Sequence, residues 1–272
     1  MRLPVSRGDT LGRAKDIIVK PISAADANRV VRSLHYSGKV VNNSQVHLGV
    51  FLDGKCGGAL QFGPSLDKRK IKGLVKGTKW NEFIELNRIA LADWLPRNGE
   101  SRAISVSMRL IKKQYPWLKW VVSFADGCQC GDGTIYRASG FVLTMIKTDS
   151  NTSFDENGIS HHKMKYESNP VSTGYSKITK GKNNWGLFCR VKGWRRAVGF
   201  QLRYIYFLDP TARDRLTVPI IPFDEIEKRG ASMYRGKRPV SEMVSRPAIQ
   251  SENGGSIPTT GLKSKKAKLS KK

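Results

Sequence analysis

The sequence predicts an α/β fold in which a mixed central sheet is flanked by helices. Short β-rich apolar runs alternate with segments of helical spacing, and a hairpin signal, Asp53-Gly54, joins two of the runs. A third observation is the stretch SFADGCQCGDGTIYRASGF at residues 123–141. It opens in a strand-like run, Trp120-Val121-Val122-Ser123-Phe124, which stops at Asp126-Gly127. Gly131 and Gly133 then turn the backbone, and residues 134–138 resume as a short helix with Gly140 as its stop. Open α/β sheets place ligands at such strand ends, although an Asp in a plain tight turn fits the segment equally well.

The remaining elements follow in order. Residues 16–20 read as the first strand, closed by Pro21, after a mobile basic arm at 1–15. Ser23 is a good N-cap for a helix over 24–34, where Ala27, Val30, Val31 and Leu34 recur at helical spacing. That helix leaves through His35-Tyr36-Ser37-Gly38; His35 is either a group at the mouth of a site or a solvent-facing C-cap histidine. Residues 47–52 and 56–63 pair as the hairpin.

Residues 65–79 are predicted to form a loop, and their cations Lys68, Arg69, Lys70, Lys72 and Lys76 either touch a phosphate backbone or face solvent. Residues 83–91 alternate as a strand carrying Glu85, Asn87 and Arg88. A long helix follows, with Ala103, Ile104, Met108, Leu110 and Ile111 as its apolar side and Pro116 as its end. Its start, with Gly99, Ser101 and Arg102, offers free N–H groups and a cation to a phosphate or pyrophosphate.

Residues 147–183 are polar and weakly periodic, which predicts an insertion or flap. His161-His162 within it lacks a cysteine or carboxylate pattern at ligand spacing. Residues 185–196, ending in Arg195-Arg196, form a basic-aromatic stretch that suits stacking on a base and touching phosphates, or core packing of its tryptophans. Residues 200–210 read as the final strand and 216–222 close a domain spanning 16–235. Residues 236–272, rich in Ser, Pro, Gly and Lys, read as a disordered basic tail.

Charge narrows the partners. The chain of 272 residues carries a net charge of +26. Residues 236–272 supply +7, so +19 remains on 1–235 and the excess belongs to the folded part. Nucleic acid is the expected partner, against the alternative of a generically basic protein. No apolar run of membrane-spanning length and no secretory leader is evident, and four scattered cysteines suit a reducing compartment.

No Walker loop, GxSxG elbow, HExxH or GxGxxG fingerprint is present, and Cys128-x-Cys130 is poorly spaced for a structural zinc site. A mononuclear metal held by His35 and Asp126 with a nearby thiolate remains an open alternative.

The order of elements is similar to the Gcn5-related acetyltransferase (GNAT) arrangement. More specifically, LHYSGK at 34–39, ELNRIALADWLPRNGESRAIS at 85–105, SFADG with GTIYRASGF, and RYIYFL at 203–208 together resemble the bacteriophage Mu Mom family. The resemblance covers 16–210. It implies a GNAT-like enzyme that converts adenine in double-stranded DNA to N6-carbamoylmethyladenine and protects phage DNA from restriction in the host cytoplasm. It further implies an activated two-carbon donor, acetyl-CoA or a glycyl-type aminoacyl carrier, and an iron requirement.

Family roles carry over to His35 and Tyr36, to Glu85, Asn87 and Arg88, to Ser101 and Arg102, and to Asp126 and Tyr136. On this reading Asp126 is the base or N6-orienting carboxylate, with Glu85 as the alternative base. His35 accepts a proton or binds metal, and Tyr36 stacks on or hydrogen-bonds the flipped base. Arg88, Gly99, Ser101, Arg102 and Tyr136 serve the donor, while Lys68, Arg69, Lys70, Lys72, Arg195 and Arg196 face DNA. The segment 97–103 lacks the glycine spacing of the usual GNAT pyrophosphate loop. The competing readings are a GNAT-type acyltransferase acting on tRNA and a non-enzymatic DNA-binding module.

Overall fold

A computed structural model describes residues 13–127, 131–149, 151–196, 199–229 and 231. The Cys128/Cys130 pair, residues 1–12 of the expected arm and the expected tail at 236–272 lie outside the described residues. Arg13–Asp16 form a 3-10 turn whose Arg13 guanidinium grips the Asp53 carboxylate at 2.5 and 2.6 Å, so these residues join the folded body. The first strand, β1, is Ile18–Pro21 and begins two residues later than expected.

Ser23 caps α1 (Ala24–Leu34), its hydroxyl accepting the Asp26 N–H. The helix buries Ala27 and Val31 against the sheet. β2 (Val46–Leu52) turns into β3 (Lys55–Gly63) through Asp53 and Gly54, both at positive φ. That backbone matches the twist of a two-residue hairpin. β4 (Phe83–Leu91), α3 (Gly99–Gln114), β5 (Trp120–Asp126), α4 (Thr134–Ala138) and β6 (Val142–Asp149) follow, and β10 (Gly199–Phe207) is the last strand.

The main sheet has the order β1-β2-β3-β4-β5-β10-β6. Every pairing is antiparallel except β4 with β5. Those two parallel strands pair only at Phe83↔Trp120, Ile84↔Val121 and Glu85↔Val122, and then part.

Alternation along β5 builds a core on each face. Val121 and Ala125 pack with Ala103, Ile104, Met108 and Ile111 of α3. Trp120 and Val122 turn the other way, toward Leu74, Val75, Phe83, Ile205 and Ala212, with Phe124 packed beside them. Trp120 is fully buried, stacks on Phe83 at 4.6 Å and donates its indole N–H to Thr78 Oγ1. Fully buried side chains such as Leu60 and Phe62 each contribute roughly 1.5–3 kcal/mol by leaving water.

Two expectations are corrected. Residues 65–79 are not a plain loop, because Lys68–Lys72 form a short helix, α2. Asp67 caps it by accepting the Lys70 N–H, and Ile71 packs toward the Leu74/Val75 cluster. One turn is too short to show a period in the sequence.

The segment 147–183, expected as an insertion or a flap, is folded and so is no loose flap. β6 runs to Asp149, and β7 (Thr152–Phe154), β8 (Ser160–His162) and β9 (Arg195–Arg196) make a second sheet in the order β8-β7-β9. With α5 (Lys163–Glu167), α6 (Tyr175–Thr179) and α7 (Trp185–Val191) they form a unit with its own core of Tyr166, Tyr175, Trp185, Phe188 and Cys189.

The tryptophans of the basic-aromatic stretch are therefore packing residues. Trp185 is buried, and Trp194 stacks on His161 at 4.0 Å. His161 is itself engaged, with Nε2 at 2.9 Å from Asp155 and Nδ1 at 2.7 Å from the Tyr166 hydroxyl. After β10, a 3-10 turn at Pro210–Arg215 and bridges Val75↔Leu216 and Leu143↔Ile221 bind the last segment to the sheet, and α8 (Asp224–Lys228) follows.

Candidate active site

Where β4 and β5 separate, neither strand continues the ladder, and a cleft of about 470 Å³ opens between them. Ser123 holds the split at its root: its hydroxyl bridges the Leu86 carbonyl on β4 (3.1 Å) and the Tyr136 hydroxyl on α4 (2.8 Å). Glu85, Asn87 and Arg88 of β4 line one wall, and Phe124, Ala125 and Asp126 of β5 line the other. His35 and Tyr36 arrive from the end of α1, Glu100 from the start of α3, and Gly133, Thr134 and Tyr136 from the start of α4. Asp132, Gln201 of β10 and His162 of the second unit complete the lining.

Local geometry fixes each group. Arg88 donates from Nε to the Lys39 carbonyl (3.0 Å) and from Nη1 to the Asn87 carbonyl (2.7 Å), which pins the turn after α1 onto β4. That turn carries His35, whose ring lies 4.3 Å from the half-exposed Tyr36 ring. The Ser37 N–H donates to His35 Nδ1 (3.2 Å), so Nδ1 is an acceptor and the neutral ring carries its hydrogen on Nε2. Burial, helped by the nearby Arg88 charge, pulls the His35 pKa down to about 4. His35 thus offers the cleft an N–H donor at neutral pH.

Burial pushes the Glu85 carboxyl upward, against hydrogen bonding from Asn87 and the Arg88 charge. The Ser65 hydroxyl lies beside Glu85 but is buried without a well-aligned partner. Glu100 is also raised, by burial and by Asp93. Asp132 caps the turn into α4, accepting from the Thr134 N–H and hydroxyl, and its carbonyl accepts from the Tyr204 hydroxyl. Gln201 sits directly across from Asp126 in the β5–β10 register.

The structure therefore brings together His35, Tyr36, Glu85, Asn87, Arg88, Asp126 and Tyr136. Gly99, Ser101 and Arg102 do not line the cleft. Gly99 is buried and donates to Pro96, Ser101 Oγ donates to the Asn98 carbonyl, and Arg102 Nε is buried without a partner. At this helix start it is Glu100, its carboxyl raised by burial and Asp93, that faces the cleft.

The thiolates weighed as partners of His35 and Asp126 in a metal site, Cys128 and Cys130, lie outside the described residues. Among the described residues no three His, Cys, Asp or Glu side chains gather as a metal-binding group, and His35 Nδ1 is already engaged. Of the cations expected to face DNA, Arg69 and Lys70 on α2 and Arg195 and Arg196 on β9 are exposed. Lys68 leans over the Trp80 ring at 4.8 Å, and Lys72 is half-buried.

Glu100, Asp132, Gln201 and Ser123 were not singled out from the sequence, and His162 was weighed there only as a metal ligand. Glu100 carried a usable signal as the one acid in the first turn of α3. Gln201 and His162 reach the cleft only through topology.

The Mom protein family matches residues 16–225 of the chain. The chain belongs to the Mom protein family. Its relatives include the methylcarbamoylase Mom of Escherichia phage Mu, 36% identical over 210 residues that make up 76% of this chain and 82% of that protein. Among solved structures, the Vibrio cholerae spermidine/spermine N-acetyltransferase aligns over 75% of this chain and 99% of its own, at 9% identity and a TM-score of 0.41. An IAA acetyltransferase from Bacillus cereus aligns over 70% and 99%, at 12% identity and a TM-score of 0.39. The Mom match spans both walls of the cleft and the whole 151–196 unit. Among the described residues of this Mom chain, no helix is long and apolar enough to cross a membrane.

Proposed function

We propose that this Mom-family chain is a transferase that installs a carbamoylmethyl group on N6 of adenine in double-stranded DNA. The observation that carries the reading is a contrast of charge within one molecule. A chain of net charge +26 encloses a cleft lined by four acidic side chains, Glu85, Glu100, Asp126 and Asp132, and by one guanidinium, Arg88, that already donates to backbone carbonyls, with Asn87 and Gln201. Such a cleft repels phosphate and accepts hydrogen bonds from an exocyclic amine, while an outer basic surface holds the backbone.

The adenine must leave the stack to reach these groups. Tyr36 at the mouth supplies a stacking face, and Asn87 or Gln201 can pair with the N6/N7 edge. The N6 lone pair is delocalised into the ring, so attack needs close positioning and removal of a proton. Asp126 orients N6 and takes that proton, with Glu85 next in line, while the His35 Nε2–H steadies negative charge developing on the donor. The new bond joins N6 to the methylene carbon of a donor unit that already carries its carboxamide. The carrier leaves that carbon with the bonding electrons, and Asp126 keeps the N6 proton. The donor is an activated two-carbon unit. In the host cytoplasm this mark would shield phage DNA from restriction.

Expression in a bacterium followed by mass spectrometry of the digested plasmid tests the reaction. The expected product is a deoxyadenosine heavier by one carbamoylmethyl group, absent when Asp126→Asn is expressed as soluble, folded protein. Unmodified DNA alongside modified tRNA would replace this reading with an RNA acyltransferase.

A further inference from the structure

One exposed side chain, close in sequence to residues that meet the cleft wall, has no role in the reaction or in the core. Leu66 is 83% exposed. Its position is set by three features. Gly63 pairs with Glu85 in the β3–β4 register, so Leu66 lies three residues, at most about 11 Å of chain, from the strand partner of a cleft-wall residue. Ser65, its neighbour, is buried against Glu85 and anchors the segment there. Asp67 follows and is committed to capping α2, which presents Arg69 and Lys70. Along the chain, a bare apolar side chain thus stands between a segment anchored on the cleft wall and a one-turn cationic helix.

We propose that Leu66 is a wedge that enters the DNA base stack at the target adenine and fills the gap left when that base turns into the cleft. The inference rests on the reading of double-stranded DNA as the substrate. Burial between bases returns to Leu66 the contact it lacks in the free protein. The α2 cations meet the phosphates flanking the opened step, so wedge and clamp are delivered by one short segment, 66–70. Exposure also makes the side chain dispensable for folding, which keeps the inference open to direct test.

Permanganate oxidises thymines that have lost stacking, so it reports the partner of an extruded adenine whether or not chemistry follows. Plasmid DNA mixed with wild-type protein should show discrete reactive thymines. Leu66→Ala should lower that reactivity about tenfold while filter binding at low salt changes less than about threefold, since unstacking and phosphate contact are separate terms. Leu66→Met, which keeps an apolar wedge, should restore the signal. Val171→Ala, which removes an equally exposed apolar side chain (84%) from another segment, should leave it unchanged.

Full reactivity in Leu66→Ala would overturn the wedge, as would wild-type protein that modifies adenine without exposing any thymine. A wild-type protein that neither binds nor modifies DNA removes the reading of function itself, and the wedge with it.

Discussion

His35 shows how one residue's surroundings change the part it can play. A histidine at the mouth of a turn suggests a proton acceptor, and the sequence supports that expectation. In the structure the Ser37 amide occupies Nδ1, and burial beside Arg88 keeps the ring neutral. The folded pKa of about 4 lies below the unfolded value of 6.5. Between the two, the unfolded chain holds a proton that the folded chain does not, so stability is complete above 6.5 and falls as the pH drops through that window. The His35 Cε1 proton resonance should therefore titrate near 4. The loss of urea resistance between about pH 7 and about pH 4.5 should be smaller in His35→Gln than in wild type. Equal losses in the two proteins would show that His35 is not held neutral. His35 and Asp126 were legible because a turn residue after a helix and an Asp ending a strand leave local traces. Ser123 left none, since its hydroxyl matters only once Leu86 and Tyr136 are beside it.

Among the elements, the parting of β4 from β5 creates the site, and the start of α4 shapes its floor. Both strands, the hairpin and α3 were readable from period and turn chemistry. Their pairing was not, because β10 enters beside β5 from nearly eighty residues downstream. The second unit was hidden for a related reason. Its aromatic core draws on Tyr166 and Tyr175 from a polar stretch and on Trp185 and Phe188 from a basic one, and neither stretch is amphipathic alone. Gly133 tests the α4 floor. It holds φ 79°, and an added Cβ would lie 2.5 Å from the Tyr204 ring. Gly131 also has positive φ, at 94°, but meets nothing within 4 Å. Gly133→Ala should cost clearly more than about 1 kcal/mol and most of the activity, because strain and a ring clash fall together. Gly131→Ala should show only the smaller backbone cost in the same denaturation experiment. Equal losses would mean that the Tyr204 contact yields easily.

At the scale of the whole molecule, the charge of +26 was the most legible property, and its arrangement the least. Composition alone cannot reveal that acidic side chains collect in the cleft while Arg69 and Lys70 stand exposed on α2. That separation makes a distinct expectation for binding. Each phosphate neutralised adds about 0.9 to the slope of log affinity against log salt. Replacing Arg69 and Lys70 with Gln should therefore flatten the slope by up to about 2, equally on all duplex sequences, because phosphate contacts carry no base information. Glu85→Gln, inside the cleft, should leave the slope unchanged while altering modification. The measurement is a titration of duplex affinity across a salt series for the three proteins. A slope that moves with Glu85 and not with the α2 cations would place the DNA backbone against the cleft itself, and the contrast of charge would no longer argue for a flipped base.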